Sequence, residues 1–263
     1  MRSFFLFLLL LISIFYITSC GGYHNIEKKR NFELQMKSPM TKNITPAYVF
    51  FDTPNNYRVN KKYLSKNKTL KDGKREKIVE YALKFKGKSR VKKDKKFRND
   101  CSGFVRSIFD NFNIELYNTA KVKRNGKWLS GTEVIYNFIE DNGEVFSNRL
   151  PQIGDIIFFD NTTDRNRDGK VNDSFTHIAI VVNVLANGTI YYIHKSHRGI
   201  NIQKMNLKYP NDVYVKRGKK KIKVNSYLRK RRRKDKKDTP YLSSQMFRAF
   251  GSVFKSYSLS QNE

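Results

Sequence analysis

The apolar pattern of this chain changes character once, and that change limits the fold. Before about residue 141, apolar residues recur at three and four: Ile78, Val79, Ala82, Leu83 and Phe85, then Phe104, Val105, Ile108 and Phe109. Such spacing lays one apolar stripe along a helix. It predicts helices over residues 73–87, from Cys101 to the closing Asn113-Ile114-Glu115-Leu116, and over 132–141, ended by Asn142-Gly143. After the turn Pro151-Gln152-Ile153-Gly154-Asp155 the runs become short and apolar, at 156–159, 178–184, 189–194 and 200–205. Asn187-Gly188 is a hairpin turn between two of them. Helices first and antiparallel strands afterwards predict an α+β fold, with helices packed on one sheet.

The two ends read differently. Met1-Arg2-Ser3 precedes an apolar run from Phe4 to Ile17, too short to span a membrane and suited to a signal peptide. The run ends Ile17-Thr18-Ser19-Cys20-Gly21-Gly22. This resembles a bacterial lipobox, in which the cysteine is acylated and becomes the first mature residue. An ordinary signal peptide with a nearby cysteine is the alternative. Lipid on Cys20 would anchor the chain to a membrane face without spanning it. Residues 20–72 are polar and weakly periodic, and are expected to be a tether. Residues 73–216 hold the helices and strands of one domain. Residues 217–238 form a basic low-complexity segment. The last stretch, 239–263, carries Leu242, Met246, Phe247, Phe250 and Phe254, and is expected to be an amphipathic helix docked on the domain.

The 263 residues carry a formal charge of +30. Such a field attracts polyanions. An exported chain rarely meets nucleic acid, so anionic envelope polymers or lipid headgroups are the better partners. A solvated lysine-rich surface without a dedicated site is the bland alternative.

There are two cysteines. If Cys20 carries lipid, Cys101 has no disulfide partner in the chain, although an exported compartment is oxidising. Cys101 lies in Asn99-Asp100-Cys101-Ser102-Gly103-Phe104-Val105, where a polar loop enters a helical pattern. A helix N-terminus favours thiolate, the nucleophilic form. A buried cysteine acting as a small hydrophobe is the alternative. Of four histidines, His177 opens one strand and His194 ends the next, so a hairpin brings both to one end of the sheet. A thiol needs a base, and the base needs a group that fixes its ring. Each histidine alone would read as a strand-end residue bonded to backbone or water.

Asp100-Cys101-Ser102-Gly103-Phe104-Val105 resembles the nucleophile motif of the NlpC family of cell-wall cysteine peptidases. The segments 151–159, 176–182 and Ile193-His194 resemble its later blocks in order, so the likeness covers about residues 74–205. The resemblance implies a papain-like fold, a nucleophile helix packed on an antiparallel sheet. It implies hydrolysis of amide bonds in peptidoglycan stem peptides, commonly next to D-glutamate, with no cofactor required. It assigns Cys101 as nucleophile, His177 as general base, His194 as the orienting group, and Asp100 and Ser102 as cleft residues. The stretch 86–98 departs from the family, because it is basic and lacks the family's tyrosine and Trp-Gly-Gly segment.

A second motif runs from Asp164 to Asp173. Asp164, Asn166 and Asp168 alternate, and Gly169 follows at the sixth position, as at the front of an EF-hand loop. The usual twelfth-position glutamate is replaced by Phe175, and Asp173 is the substitute. A structural calcium ion on Asp164, Asn166, Asp168 and Asp173 is set against a polar loop with no ion.

The sequence therefore predicts a lipid-anchored cysteine peptidase facing peptidoglycan, on the outer membrane if the cell has one. A CHAP-like amidase shares the fold. A non-catalytic envelope-binding lipoprotein is the rival from another class.

Overall fold

In the computed structural model, the described residues are 49–51, 57–59, 70–91, 96–117, 122–233 and 235–254. Cys20, and with it the signal and lipidation reading, lies outside them. Most of the expected tether does too. Within it, β1 (Val49–Phe51) pairs with β2 (Tyr57–Val59), and α1 (Leu70–Leu83) begins two residues before residue 72. None of the helices among the described residues is long and apolar enough to cross a membrane.

After α1 come α2 (Cys101–Asp110), a small hairpin of β3 (Lys123–Arg124) and β4 (Lys127–Trp128), and α3 (Gly131–Asn142). The remaining strands are β5 (Glu144–Phe146), β6 (Ile156–Phe159), β7 (His177–Val184), β8 (Ile190–Ser196), β9 (Gly199–Met205), β10 (Tyr214–Arg217), β11 (Lys220–Lys223) and β12 (Phe247–Ser252). Six of them form one antiparallel sheet in the order β5-β12-β6-β7-β8-β9. The fold is α+β, as expected.

Both faces of this sheet are covered, which is why β6 is apolar throughout and β7 is apolar but for His177 and Asn183. On β6, Ile156 and Phe158 join the core beneath α1, α2 and α3, while Ile157 and Phe159 join a second core. On β7, Ile178, Ile180 and Val182 face the helices, and Ala179 and Val181 face the other way. Each of these side chains is fully buried. The second core is closed by Leu207, Leu228 and Met246, from the chain between β9 and β12. The basic segment 217–238 is therefore part of the fold. Leu228 N donates to Tyr241 O, Ser243 N donates to Ser226 O, and Arg229 pairs with Asp235 at 2.7 Å with both side chains buried. Residue 216 is no boundary either, since it lies inside the β10–β11 hairpin.

Over the described part of the expected C-terminal helix, residues 239–254, the chain forms a turn and a strand, and 255–263 lie outside the described residues. Residues 247–252 form β12, inserted between β5 and β6. The spacing of Leu242, Met246 and Phe250 satisfies a helical period, but these side chains are buried for different reasons. Leu242 is buried at an isolated bridge to Tyr227, Met246 belongs to the second core, and Phe250 lies in the sheet. Gly251 allows the close approach: a Cβ there would sit 2.9 Å from Phe158 Cε2 and 3.1 Å from Ile139 Cδ1. A strand filling the gap between two others completes their backbone hydrogen bonds, which no docked helix could do.

One buried ion pair links three elements. Arg75 on α1 donates to Asp155 Oδ1 at 2.6 Å, to Ile153 O at 3.0 Å and to Ser252 Oγ at 2.8 Å. It ties α1 to the turn before β6 and to the end of β12. The same turn carries Gly154 at φ +78, and Asp155 Oδ2 accepts from Gln152 N at 2.7 Å.

Candidate active site

Helix α2 begins at Cys101 because Asp100 caps it. Asp100 has extended backbone, and its Oδ1 accepts from Gly103 N at 2.8 Å and from Ser102 Oγ at 2.8 Å. Arg98 Nε holds the other oxygen at 3.2 Å. A side-chain oxygen at this position satisfies one of the first-turn amides. Gly103 has a steric reason: a Cβ would lie 1.9 Å from Arg98 O. The cap takes Gly103 N and leaves the Cys101 amide, the first of the helix, beside the sulfur.

The thiol sits where α2, α3 and β7 meet. The Thr132 hydroxyl, on the first turn of α3, and the backbone at Ile178 and Ser102 are hydrogen-bonded to it. Cys101 is partly exposed and lines a cleft of about 330 Å³ together with Asp100, Thr176, His177, His194 and Lys195. Burial pushes its thiol up, and the Asp100 carboxylate adds to this, against the opposing bonds from Thr132, Ile178 and Ser102. The expected lowering of the thiol by the helix N-terminus is thus outweighed here by desolvation and a neighbouring negative charge.

His177 and His194 come together as the hairpin geometry predicts. His177 Nε2 and His194 Nδ1 lie 2.8 Å apart, with the rings edge-on at 87°. The pairing Ile180↔Ile193 puts both at the same end of the sheet. Burial brings His177 down to about 4. His194 is 2% exposed and is held well below the ordinary histidine range by burial first, then by His177 and Lys195. Its Nε2 is buried with no partner. Both rings are neutral at pH 7, and the thiol is protonated.

The entry to β7 is fastened on several sides. Asp160 Oδ1 accepts from Phe175 N at 2.8 Å, and Arg248 holds Asp160 Oδ2 at 2.8 Å. Thr176 N donates to Phe159 O, and its hydroxyl accepts from Thr162 N. The result is a fixed approach for His177.

Of the two expected cleft residues, Asp100 lines the cleft. Ser102 turns its hydroxyl to Asp100 and packs on Gly131, where a Cβ would come within 2.5 Å of Ser102 Oγ. It therefore fits the contact between α2 and α3. Thr132 and Lys195 belong to the site and were missed. Lys195 directly follows His194 on β8, whereas Thr132 arrives through tertiary packing of α3.

The Asp164–Asp173 loop curls as its pattern predicts. Gly169 N donates to Asp164 Oδ2 at 3.1 Å, and Asp168 N to Asn166 Oδ1 at 3.2 Å. Asp168 accepts from Lys170 N, Asn166 and Asn172. Asp164 Oδ1 and Asp173 Oδ2 are buried without partners. No three His, Cys, Asp or Glu side chains among the described residues are grouped as a metal centre.

An antiparallel sheet bearing two bonded histidines, beside a capped helix starting with cysteine, is the arrangement the sequence motif implied. No curated protein matches the chain. The model of the NlpC/P60 family, cysteine peptidases and amidases of the peptidoglycan-hydrolase kind, matches residues 80–219, just over half of the chain, and the chain belongs to that family.

Proposed function

We propose that this protein is a cysteine peptidase that cleaves amide bonds in peptidoglycan stem peptides, with Cys101 as nucleophile, His177 as base and His194 as its orienting partner. The observation that carries the reading is the 2.8 Å contact between the two histidines in the cleft of Cys101. With His177 Nε2 engaged by His194, Nδ1 is left to accept the thiol proton. His177 Nε2–H donates to His194 Nδ1, so His194 fixes both ring and tautomer.

The resting pair is a neutral thiol and a neutral imidazole. As sulfur attacks the scissile carbonyl carbon, its proton passes to His177 Nδ1. The oxyanion forms near the Cys101 amide at the start of α2, which donates to it. Collapse breaks the C–N bond, and the leaving amine takes the proton from His177. A thioester remains. Water, losing a proton to His177, attacks the thioester and releases the carboxylic acid and the thiol. A histidine as third member favours this reading over a CHAP-like amidase.

Lipid attachment at Cys20 and a place on the envelope membrane belong to the proposal, on the strength of the sequence Thr18-Ser19-Cys20-Gly21. The exposed hairpin β10–β11 supports contact with anionic wall polymer. It carries Lys216, Arg217, Lys220, Lys221 and Lys223, with Tyr214 46% exposed. A structural calcium in the Asp164–Asp173 loop is favoured by its two unpartnered carboxylate oxygens. Without a three-carboxylate cluster it would be a weak site, with Kd on the order of 10⁻⁴–10⁻³ M.

Incubation of the purified chain with insoluble peptidoglycan tests the function. Release of soluble peptide fragments supports hydrolysis. Salt-sensitive retention on the wall with no release supports the rival binding protein instead.

A further inference from the structure

Five non-glycine residues among those described have positive φ, and three of them are asparagines, which tolerate that conformation. Phe175 is different. It is a buried aromatic residue at φ +53, two positions before His177. A bulky residue stays in the left-handed region only where its surroundings hold it there, and such residues gather at functional sites. Here the amide, the ring and the carbonyl are all held. Phe175 N donates to Asp160 Oδ1 at 2.8 Å. The ring lies 4.0 Å from the Arg248 guanidinium and 4.7 Å from the Tyr136 ring. The carbonyl accepts from the Arg165 guanidinium, and from Ser130 Oγ at 3.4 Å.

That carbonyl joins the two halves of the site. Ser130 caps α3 two residues before Thr132, whose hydroxyl is bonded to the Cys101 thiol. On the other side Phe175 leads through Thr176 into His177, the last residue paired in the β6–β7 ladder. Strand ends fray unless something fastens them. Relaxing Phe175 to negative φ would swing its carbonyl away from Ser130 and Arg165 and re-aim the chain that follows. Arg165 comes from the Asp164–Asp173 loop and is exposed, so this pin reaches in from the surface.

We propose that Phe175 is a positioning residue, a strained joint pinned through its carbonyl by Arg165, which sets where His177 stands relative to Cys101. A misplacement of about 1 Å between reacting groups costs on the order of 10²-fold in rate, so a small relaxation at this joint is felt at the thiol. The inference rests on the peptidase reading for the role of His177 as base, but the thiol reports on that base without turnover.

Alkylation of Cys101 by iodoacetamide at pH 7 tests it, followed in the folded full-length chain by the mass of the Cys101 peptide. Arg165→Ala is expected to slow alkylation about tenfold, and Arg165→Lys, which keeps a cationic donor, to recover part of the rate. Phe175→Gly adopts φ +53 freely but loses the ring, and is expected to slow it at least as much. In a His177→Ala background Arg165→Ala is expected to change nothing further, because both act through one imidazole. An alkylation rate untouched by Arg165→Ala would overturn the positioning role, as would a slowing of equal size with and without His177. Fragment release from peptidoglycan by the unsubstituted chain is scored separately. Its absence would count against the peptidase reading and leave the alkylation comparison standing.

Discussion

His177 Nε2 and His194 Nδ1 are 2.8 Å apart in a site where burial keeps both rings neutral. Both rings line the thiol cleft, and His194 is only 2% exposed. In the proposed mechanism their work is unequal, with His177 as base and His194 as its orienting partner. Replacing His177 with Ala removes the base, and a fall in kcat of about 10³-fold is expected. Replacing His194 with Ala lets the His177 ring turn, at a cost of about 10²-fold. His194→Asn, which restores an acceptor, is expected to recover part of that loss. Equal losses for all three variants in fragment-release kinetics would show that His194 does not act by orienting.

The pH profile follows from burial. His177 accepts a proton only while neutral, so the acid limb of kcat/KM is expected near pH 4 and not near the ordinary histidine value of 6.5. Rates should be flat between pH 5 and 6.5. The same shift couples to stability. The unfolded chain protonates His177 below pH 6.5, whereas the folded chain does so only near 4. Stability from the neutral ring is complete above pH 6.5 and is lost as pH falls toward 4. The loss is on the order of 3 kcal/mol. Denaturant titrations at pH 7 and pH 4.5 measure it, and an acid limb at pH 6.5 would refute the assignment.

The C-terminal strand is part of the core. Truncation after residue 246 removes the partner of both β5 and β6, together with the Ser252 contact to Arg75. The shortened chain is expected to lose cooperative unfolding. Gly251→Val drives a side chain into Phe158 and Ile139, for which a loss of about 1–3 kcal/mol is expected. A truncated chain that melts like the full one would contradict this placement.

Calcium is expected to stabilise without switching activity on. In millimolar calcium the melting temperature should rise by a few degrees over the chelated protein, and Asp164→Asn should abolish the rise. Identical melts with calcium and with chelator would dismiss the site.

The nucleophile helix, the hairpin histidines and the β6–β9 strands were legible because their signals are local. A cap precedes Cys101, apolar residues repeat at a fixed period, and Asn187-Gly188 turns the hairpin. The rest was not local. Residues 247–252 carry apolar spacing that suits either a helix or a strand, and only the open edge between β5 and β6 decides. Thr132 reaches the site through packing of α3 against the start of α2. The basic run disguised a covering layer, because its few apolar residues, Leu228 among them, are separated by lysines and arginines. The thiol's upward shift was only partly open to local reading, since its largest cause is burial in the folded chain and the next is the charge of the adjacent Asp100.

The central claim is that Cys101 carries the reaction. Purified peptidoglycan is digested with the full-length chain and with Cys101→Ala, and the soluble fragments are identified by mass. The account predicts peptide fragments with one new amine and one new carboxyl end, formed by the unsubstituted chain and absent with Cys101→Ala. The same fragments released at the same rate by Cys101→Ala would contradict it.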